Sequence, residues 1–583
     1  MKKSIIFSAL ALAGIAFTGC DDFLDDNRYP LTSETNSPTF WNNETNVQGE
    51  ANLFYNSIIG YGNYKPNLQR STVAGQGEFY FKTLSDDQVG RTWDLQNWPY
   101  VNVEPTDGNW SNPYYNIRQA MYIIEGLKSS TLDEATKNHY VGIARLNRAL
   151  QTFNLVKQFG TAFWIDKLVD VTDEGILYGA PNDRDEVMDK VLADLDFAIE
   201  NIKTESGKFE FSKDMARAAK AEICLFEGTY CKYRTEAENS KKADETRAKK
   251  YLEECVKACE PLMTRYTLTP NYLDIYQCID VASFGGVSEI IFGKAFKENL
   301  MMHQLVAYTC SSTEIMGITR DAFDAFLFKD GKPLALTSCN KTDLGVVEGS
   351  YLSIQNLLDE RDGRLSKITD PYAYVDGCRW ARAGAGEMAS TTGYGVAKYD
   401  NVNMPLYNRQ TIGQNFTCGP IYWLSAVYCE FAEAKAELGT LSDADLNNSL
   451  NKLYTRAGLP TQTVASLSSM NDPANNMNVS SLIWEVRRCR RCELIMDRDF
   501  RYWDLIRWHK LDLLDSEKHP NVFLGANFSN ATDIIDESVK LTSDGYKNGA
   551  LGTRKYEAKY YFYPIPSGQI ALNDNIKQNP GWK

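Results

Sequence analysis

Outside its first twenty residues the sequence has no apolar run near the roughly 18 residues that a membrane-spanning helix requires. Histidine is scarce: four in 583 residues, at 139, 303, 509 and 519, too scattered to suggest a metal cluster. No basic domain exists. Lys and Arg number 62 against 76 Asp and Glu, and the net charge of -14 excludes an electrostatic nucleic-acid footprint. No Walker loop, G-x-G-x-x-G fingerprint, G-x-S-x-G elbow or H-E-x-x-H helix occurs. No cofactor, no metal and no catalytic residue are therefore expected. Gly75-x-Gly77 and Gly384-x-Gly386 are lone doublets. Asp443-x-Asp445-x-Asn447 opens like a calcium loop, but Asn448 and Tyr454 stand where the glycine and closing glutamate belong. A helix N-terminus explains those acids better. The cysteines do not spell a disulfide framework either. Cys224 with Cys231, Cys255 with Cys259, and Cys489 with Cys492 fall at helical spacings and read as small core residues.

What is present describes an exported, folded protein. Apolar residues at 43% and charged residues at 24% suit an ordinary globular chain. Lys2 and Lys3 precede an apolar run from Ile5 to Phe17, which suits an export signal over residues 1–19. Phe17-Thr18-Gly19-Cys20 resembles a bacterial lipobox, with Phe17 where Leu is usual, and makes Cys20 the expected lipid-attachment site. Asp21, Asp22, Asp25 and Asp26 follow in a tether reaching to about residue 40. Aromatic content is high, 12% with 33 Tyr and 11 Trp, which fits either a surface recognising flat partners or a large helical core.

Helical periodicity predicts a first helix at Trp41–Ile59 and then, after the irregular stretch Gly60–Asn109, helices at 114–127, 134–159, 185–202, 213–233 and 243–263. Short polar or Gly/Pro turns separate them, and helix pairs of this length suggest a repeat array. Residues 264–420 change character, with Gly, Pro, Tyr and Thr between short β-rich pieces such as Glu289–Phe292. Helices return at 421–438 and 443–457.

Two more are predicted between Leu482 and Leu514, joined at Asp497-Arg498-Asp499. Leu482, Val486, Cys489 and Met496 share one face of the first, and Asp499 is placed to cap the second. Asp504 and Arg507 lie between Trp503 and Trp508. Such a cluster serves either as an acid- or nucleic-acid-binding patch or as an ion-paired lock between packed helices; the acidic chain favours the lock.

This segment resembles the helical signature of the SusD/RagB family, the surface nutrient-binding lipoproteins of Bacteroidetes, through Arg490, Leu494, Arg501, Asp504, Leu505, Arg507 and Trp508. The resemblance extends over Arg361–Leu365 (RDGRL), Thr392–Tyr394 (TGY), Arg456–Pro460 (RAGLP), and the PIP and QNPGW near the end. One departure is Trp423 and Ala426, where the family often has Arg and Glu, which implies altered helix packing. The resemblance implies a mainly α fold: a tetratricopeptide-like helix-pair scaffold over about 41–263 and 421–514. A loop-rich insertion over about 264–420 and a C-terminal segment, 515–583, complete the domain 41–583. It also implies an outer-membrane lipoprotein facing the cell exterior. Such a protein captures oligosaccharides for a TonB-dependent transporter of the SusC type and performs no catalysis. An oligopeptide ligand, as in RagB-type uptake, is the alternative. A glycoside hydrolase is the weaker rival: it needs two carboxylates facing one bond, and among 76 acidic residues such a pair can always be imagined, so imagining one carries no weight.

The expected ligand site is the segment Arg91–Tyr100. Sugars present apolar C–H faces rimmed by hydroxyls, so a site needs flat rings beside planar polar groups. Trp93, Trp98 and Tyr100 can supply rings, and Arg91, Asp94 and Asn97 can take hydroxyls. Tyr308 is the candidate for a facing wall. The competing reading is that Trp93 and Trp98 pin a long loop to the helices.

Overall fold

The structure is a computed structural model, described over residues 39–58, 61, 82, 84–236, 241–310, 316–373, 390–535 and 539–583. Cys20 and both glycine doublets lie outside the described residues. The principal helices are α1 (Glu44–Asn52), α2 (Gly108–Lys128), α3 (Glu134–Phe159), α4 (Arg184–Asn201), α5 (Lys213–Tyr233), α6 (Glu245–Arg265), α7 (Leu424–Glu437), α8 (Ser481–Glu493) and α9 (Phe500–Arg507). Their starts follow from local chemistry. Asp133, Ser212 and Asp244 each accept a backbone N–H of the first turn, from Thr136, Met215 and Arg247. Gly160, at φ 80°, supplies the left-handed residue that ends α3.

Neighbouring helices pack as antiparallel pairs. A 21-residue helix is about 32 Å long, and the short connection between α2 and α3 cannot run back along it. The longer link from α5 to α6 closes just as tightly: the Asp244 N–H donates to Cys231 O, 2.9 Å, which places the start of α6 beside the end of α5. The mainly α scaffold expected from the resemblance is present.

Residues 264–420 carry no helix longer than six residues among those described. Their strands are short. β1 (Gln88–Gly90) pairs with β3 (Met316–Ile318), and β2 (Ile290–Lys294) with β8 (Gly419–Trp423), both antiparallel. β4 (Val346–Glu348), β5 (Tyr351–Ser353), β6 (Thr369–Ala373) and β7 (Tyr394–Val396) form one antiparallel sheet. Several predicted boundaries change: the first helix, expected over 41–59, is α-helical only at Glu44–Asn52 with 3-10 turns at 40–42 and 53–57, and the helix expected from 114 already begins at Gly108. Residues 421–423 are strand, because Ile290–Lys294 pairs with them. The helix predicted at 443–457 breaks at Ser449, which has φ -132° and ψ -97°. Asp499 stands at the start of α9, but its side chain makes no capping bond. The acids at 443–445 do mark a helix start: Ser442 and Asp445 form a reciprocal capping box.

Two hydrophobic clusters fill the molecule, and α7 is the wedge between them. Val427, Phe431 and Ala434 face the cluster built on α2–α6, while Ala426, Tyr428, Cys429, Ala432 and Ala436 face the cluster of the loop-rich half. Every residue of α7 except Lys435 is buried, Glu430, Glu433 and Glu437 included. Buried carboxylates need partners, and α8 and α9 provide them. Arg507 makes a two-pronged contact with Glu433, 2.6 and 2.7 Å, and the Trp508 indole N–H donates to the same carboxylate, 2.7 Å. Asp504 accepts from both Arg490 and Arg507, 2.9 Å each, and Arg487 donates to Glu437, 2.9 Å. The predicted ion-paired lock is real. The cysteines at 224, 231, 255, 259, 489 and 492 are buried free thiols. No helix among the described residues is long and apolar enough to cross a membrane.

Candidate functional site

The segment 84–100 is held from both sides. On its N-terminal side Asp86 accepts two bonds from Arg501, 2.7 and 2.6 Å, and Asp87 accepts from Arg491 Nε, 2.7 Å. Burial alone would raise the Asp86 carboxyl, but Arg491 and Arg501 hold it below the ordinary carboxylate range. Burial, with the Asp86 charge alongside, pushes Asp87 up. β1 follows, with Gly90 opposite Met316. The segment containing Trp93 therefore leaves the sheet at the end where β3 begins.

A single helical turn, Trp93–Gln96, then docks onto the C-terminal segment. Gln96 Nε2 donates to Gly90 O and Gly549 O, 2.7 and 2.8 Å, and its Oε1 accepts from the Leu551 N–H, 3.0 Å. Arg554, buried, donates to Gln96 O and to Leu514 O, 2.7 Å each. None of these C-terminal partners was signalled by the sequence, because they lie more than 450 positions away.

The predicted ligand residues separate into two groups. Arg91 and Asp94 are exposed and Trp93 is half-buried on the outer side of the turn. The Trp93 ring lies against Gly552, where any Cβ would meet it at 2.9 Å, so the glycine permits the close approach. Leu551, 55% exposed, extends the apolar surface beside it. Trp98 corrects the expectation of a ring platform. It is 4% exposed, stacks on Tyr560 at 4.3 Å with the rings 8° apart, and donates its indole N–H to Lys555 O, 2.6 Å. It is the pin of the loop. Tyr100 is also turned inward: its hydroxyl donates to Asp107, 2.6 Å, and its ring packs on Tyr563. Burial, then that bond, raises its phenol well above the ordinary value. Asn97 is half-buried between the groups, and Tyr308 is half-buried in a short helix, Leu305–Cys310, against the second cluster.

Two family models match this chain, one described as the SusD family over residues 316–582 and one as "Starch-binding associating with outer membrane" over residues 22–225. The chain belongs to the SusD/RagB family. A SusD-like protein of Bacteroides ovatus is 24% identical over 235 residues, a match covering 39% of this chain and 39% of that relative's length. The SusD-like fold itself spans nearly everything. A SusD-like protein from Bacteroides fragilis aligns over 96% of this chain and 99% of its own, at 21% identity and a TM-score of 0.64. A SusD-like carbohydrate-binding protein of the same species aligns over 92% and 100%, at 18% identity and 0.67. A laminarin-binding SusD-like protein aligns over 93% and 100%, at 19% identity and 0.54. In this SusD/RagB chain the exposed residues of 91–100 are Arg91, Asp94 and Pro99, and Thr92, Trp93, Asn97 and Tyr100 are half-buried.

Proposed function

We propose that this protein is a cell-surface glycan-binding lipoprotein that captures oligosaccharides and passes them, unaltered, to a SusC-like TonB-dependent transporter. The observation that carries the reading is the outer face of segment 84–100. A half-buried indole is flanked by an exposed guanidinium and carboxylate, on a loop that Gln96, Arg554 and Trp98 tie to the scaffold. A ring offered on a rigid base stacks on a sugar face without first paying to order a loop. Covering one sugar face removes ~50 Å² of apolar surface, roughly 1 kcal/mol. With a few hydrogen bonds from Arg91, Asp94 and Asn97, affinity falls in the millimolar to micromolar range, which suits capture and release.

The helix pairs supply a rigid face for the barrel partner, and the Trp93 surface then looks toward the space between them. The membrane link is a lipid on Cys20. A fatty-acid probe labels the wild type and not Cys20→Ala; an unlabelled, soluble wild type would defeat the anchor. For the ligand, a glycan array is set against a peptide library with wild type and Trp93→Ala. Glycan hits that vanish in the variant support the proposal. Peptide hits alone assign the protein to peptide uptake, and shortened glycan chains after incubation make it a hydrolase.

A further inference from the structure

Arg554 is 1% exposed, yet among the described residues no carboxylate lies within ion-pair distance of it. Each of the other nine buried arginines has one within 3.1 Å. The two acids whose charge reaches Arg554 are engaged elsewhere. Asp86 is held by Arg501, and Asp515 accepts from the Glu517, Lys518 and Tyr556 backbone N–H groups. What holds the guanidinium is backbone: Nε donates to Leu514 O and Nη1 to Gln96 O, 2.7 Å each, with the Phe523 ring centre 4.8 Å away. Nη2 is buried with no acceptor. Burial brings the group down to about 10, well below an ordinary arginine.

A buried cation without a counter-charge opposes folding, and an N–H without an acceptor adds to that. The segment that carries Arg554 gives no reason to keep it. Its backbone is fixed already: the Arg554 N–H donates to Ser516 Oγ and the Ser516 N–H donates to Arg554 O, 2.8 Å each. The reason lies across the contact. Gln96 ends the single helical turn Trp93–Gln96, and one isolated turn does not hold itself in water. Arg554 takes its last carbonyl, a group the turn leaves without a partner of its own. Two residues earlier Gly552 lies against the Trp93 ring, and three earlier the Leu551 N–H donates to Gln96 Oε1, 3.0 Å. One stretch of four residues thus seats the ring and clamps the turn that carries it. We infer that Arg554 is a positioning residue for the Trp93 surface, a destabilising buried cation kept because it holds that ring ready for ligand. The inference rests on the glycan reading above for its ligand, but not for the clamp.

The test compares wild type, Arg554→Met and Arg554→Lys as full-length proteins in mild detergent, by denaturant midpoint, amide hydrogen exchange and the glycan array. Methionine fills similar space without the charge, so the Arg554→Met midpoint is equal to or above that of the wild type. Its Leu95 and Asn97 amides, which bond Thr92 O and Trp93 O, exchange about tenfold faster, the worth of one charge-assisted hydrogen bond. Its glycan hits weaken by a similar factor, about tenfold. Lysine keeps the charge and reaches one carbonyl instead of two, so Arg554→Lys exchanges at an intermediate rate, with a midpoint below the wild type. A clearly lowered midpoint in Arg554→Met, or failure of that variant to fold, makes Arg554 an ordinary structural residue and overturns the inference. Exchange as slow as in the wild type does the same, as do glycan hits of undiminished strength. Lysine and methionine variants alike in both exchange and midpoint make the charge irrelevant, which also overturns it. A wild type with no glycan hits removes the proposed function instead; faster exchange at an undiminished midpoint in Arg554→Met then still supports the clamp.

Discussion

The helical joint at 481–508 and the segment at 91–100 are written in the same letters, aromatics interleaved with arginines and aspartates, and they fold to opposite ends. In the joint nearly everything is inside: Arg507 and Trp508 are each 1% exposed, and both reach Glu433. In the segment the order is split, with Trp98 buried while Arg91 and Asp94 are exposed. The difference lies in how many elements close around each stretch. The joint is wrapped by α7, α5 and the loop-rich half, so its charges must find one another. The segment sends Leu95 into one cluster and Trp98 into the other, and Gln96 ties it to the C-terminal segment, while its remaining side stays open. Charged-aromatic composition therefore marks a recognition surface only where the surroundings leave one side open.

The largest effect that would break this contrast is at Glu433. Glu433→Ala leaves Arg507 and the Trp508 indole without their shared acceptor, and the expected loss is about 3–5 kcal/mol, read as a lower denaturant midpoint. A loss below about 1 kcal/mol would mean that the joint is solvated rather than locked. Next comes Trp98→Ala, which removes a stacked, hydrogen-bonded ring; about 3 kcal/mol is expected, together with faster proteolysis between residues 84 and 107. An unchanged midpoint would return Trp98 to the candidate ligand surface.

A subtler probe of the joint is pH. Burial pushes the Glu430 carboxyl from 4.5 up to about 8, against the pull of Arg490. Between those values the folded protein holds a proton that the unfolded chain has released, so stability falls as pH rises from about 5 to 8. Glu430→Gln should flatten that decline, measured as midpoints across the range, and a slope identical to the wild type would show Glu430 ionised in the fold. The smallest effect on stability is expected at Trp93. Trp93→Ala shifts the midpoint by less than about 1 kcal/mol, since the ring is half-exposed, yet it removes glycan capture in a pull-down. Similar stability losses for Trp93→Ala and Trp98→Ala would merge the two groups into one pin.

Much of the helical half was legible because its signals are local. The helices at 134–159 and 213–233 lie where periodicity places them, and Asp133, Ser212 and Gly160 mark ends that depend on a few neighbouring atoms. Residues 421–423 misled because Ile-Tyr-Trp fits a helix or a strand, and the partner that decides, Ile290–Lys294, is distant in sequence. The same limit governed the candidate site. Which residue types could meet a sugar was readable in Arg91–Tyr100; which of them face outward was not.

By itself the sequence determined the capped amphipathic helices and a pattern of motifs specific enough to imply the family. Those depend on contacts within a few residues, or on residue order alone. Only the tertiary structure decided that Trp98 is buried and holds the loop while Trp93 stays half-exposed, and that Gly552 makes room for the Trp93 ring. Each of those outcomes is a competition for space and hydrogen bonds between segments hundreds of residues apart, and no local preference encodes who wins it.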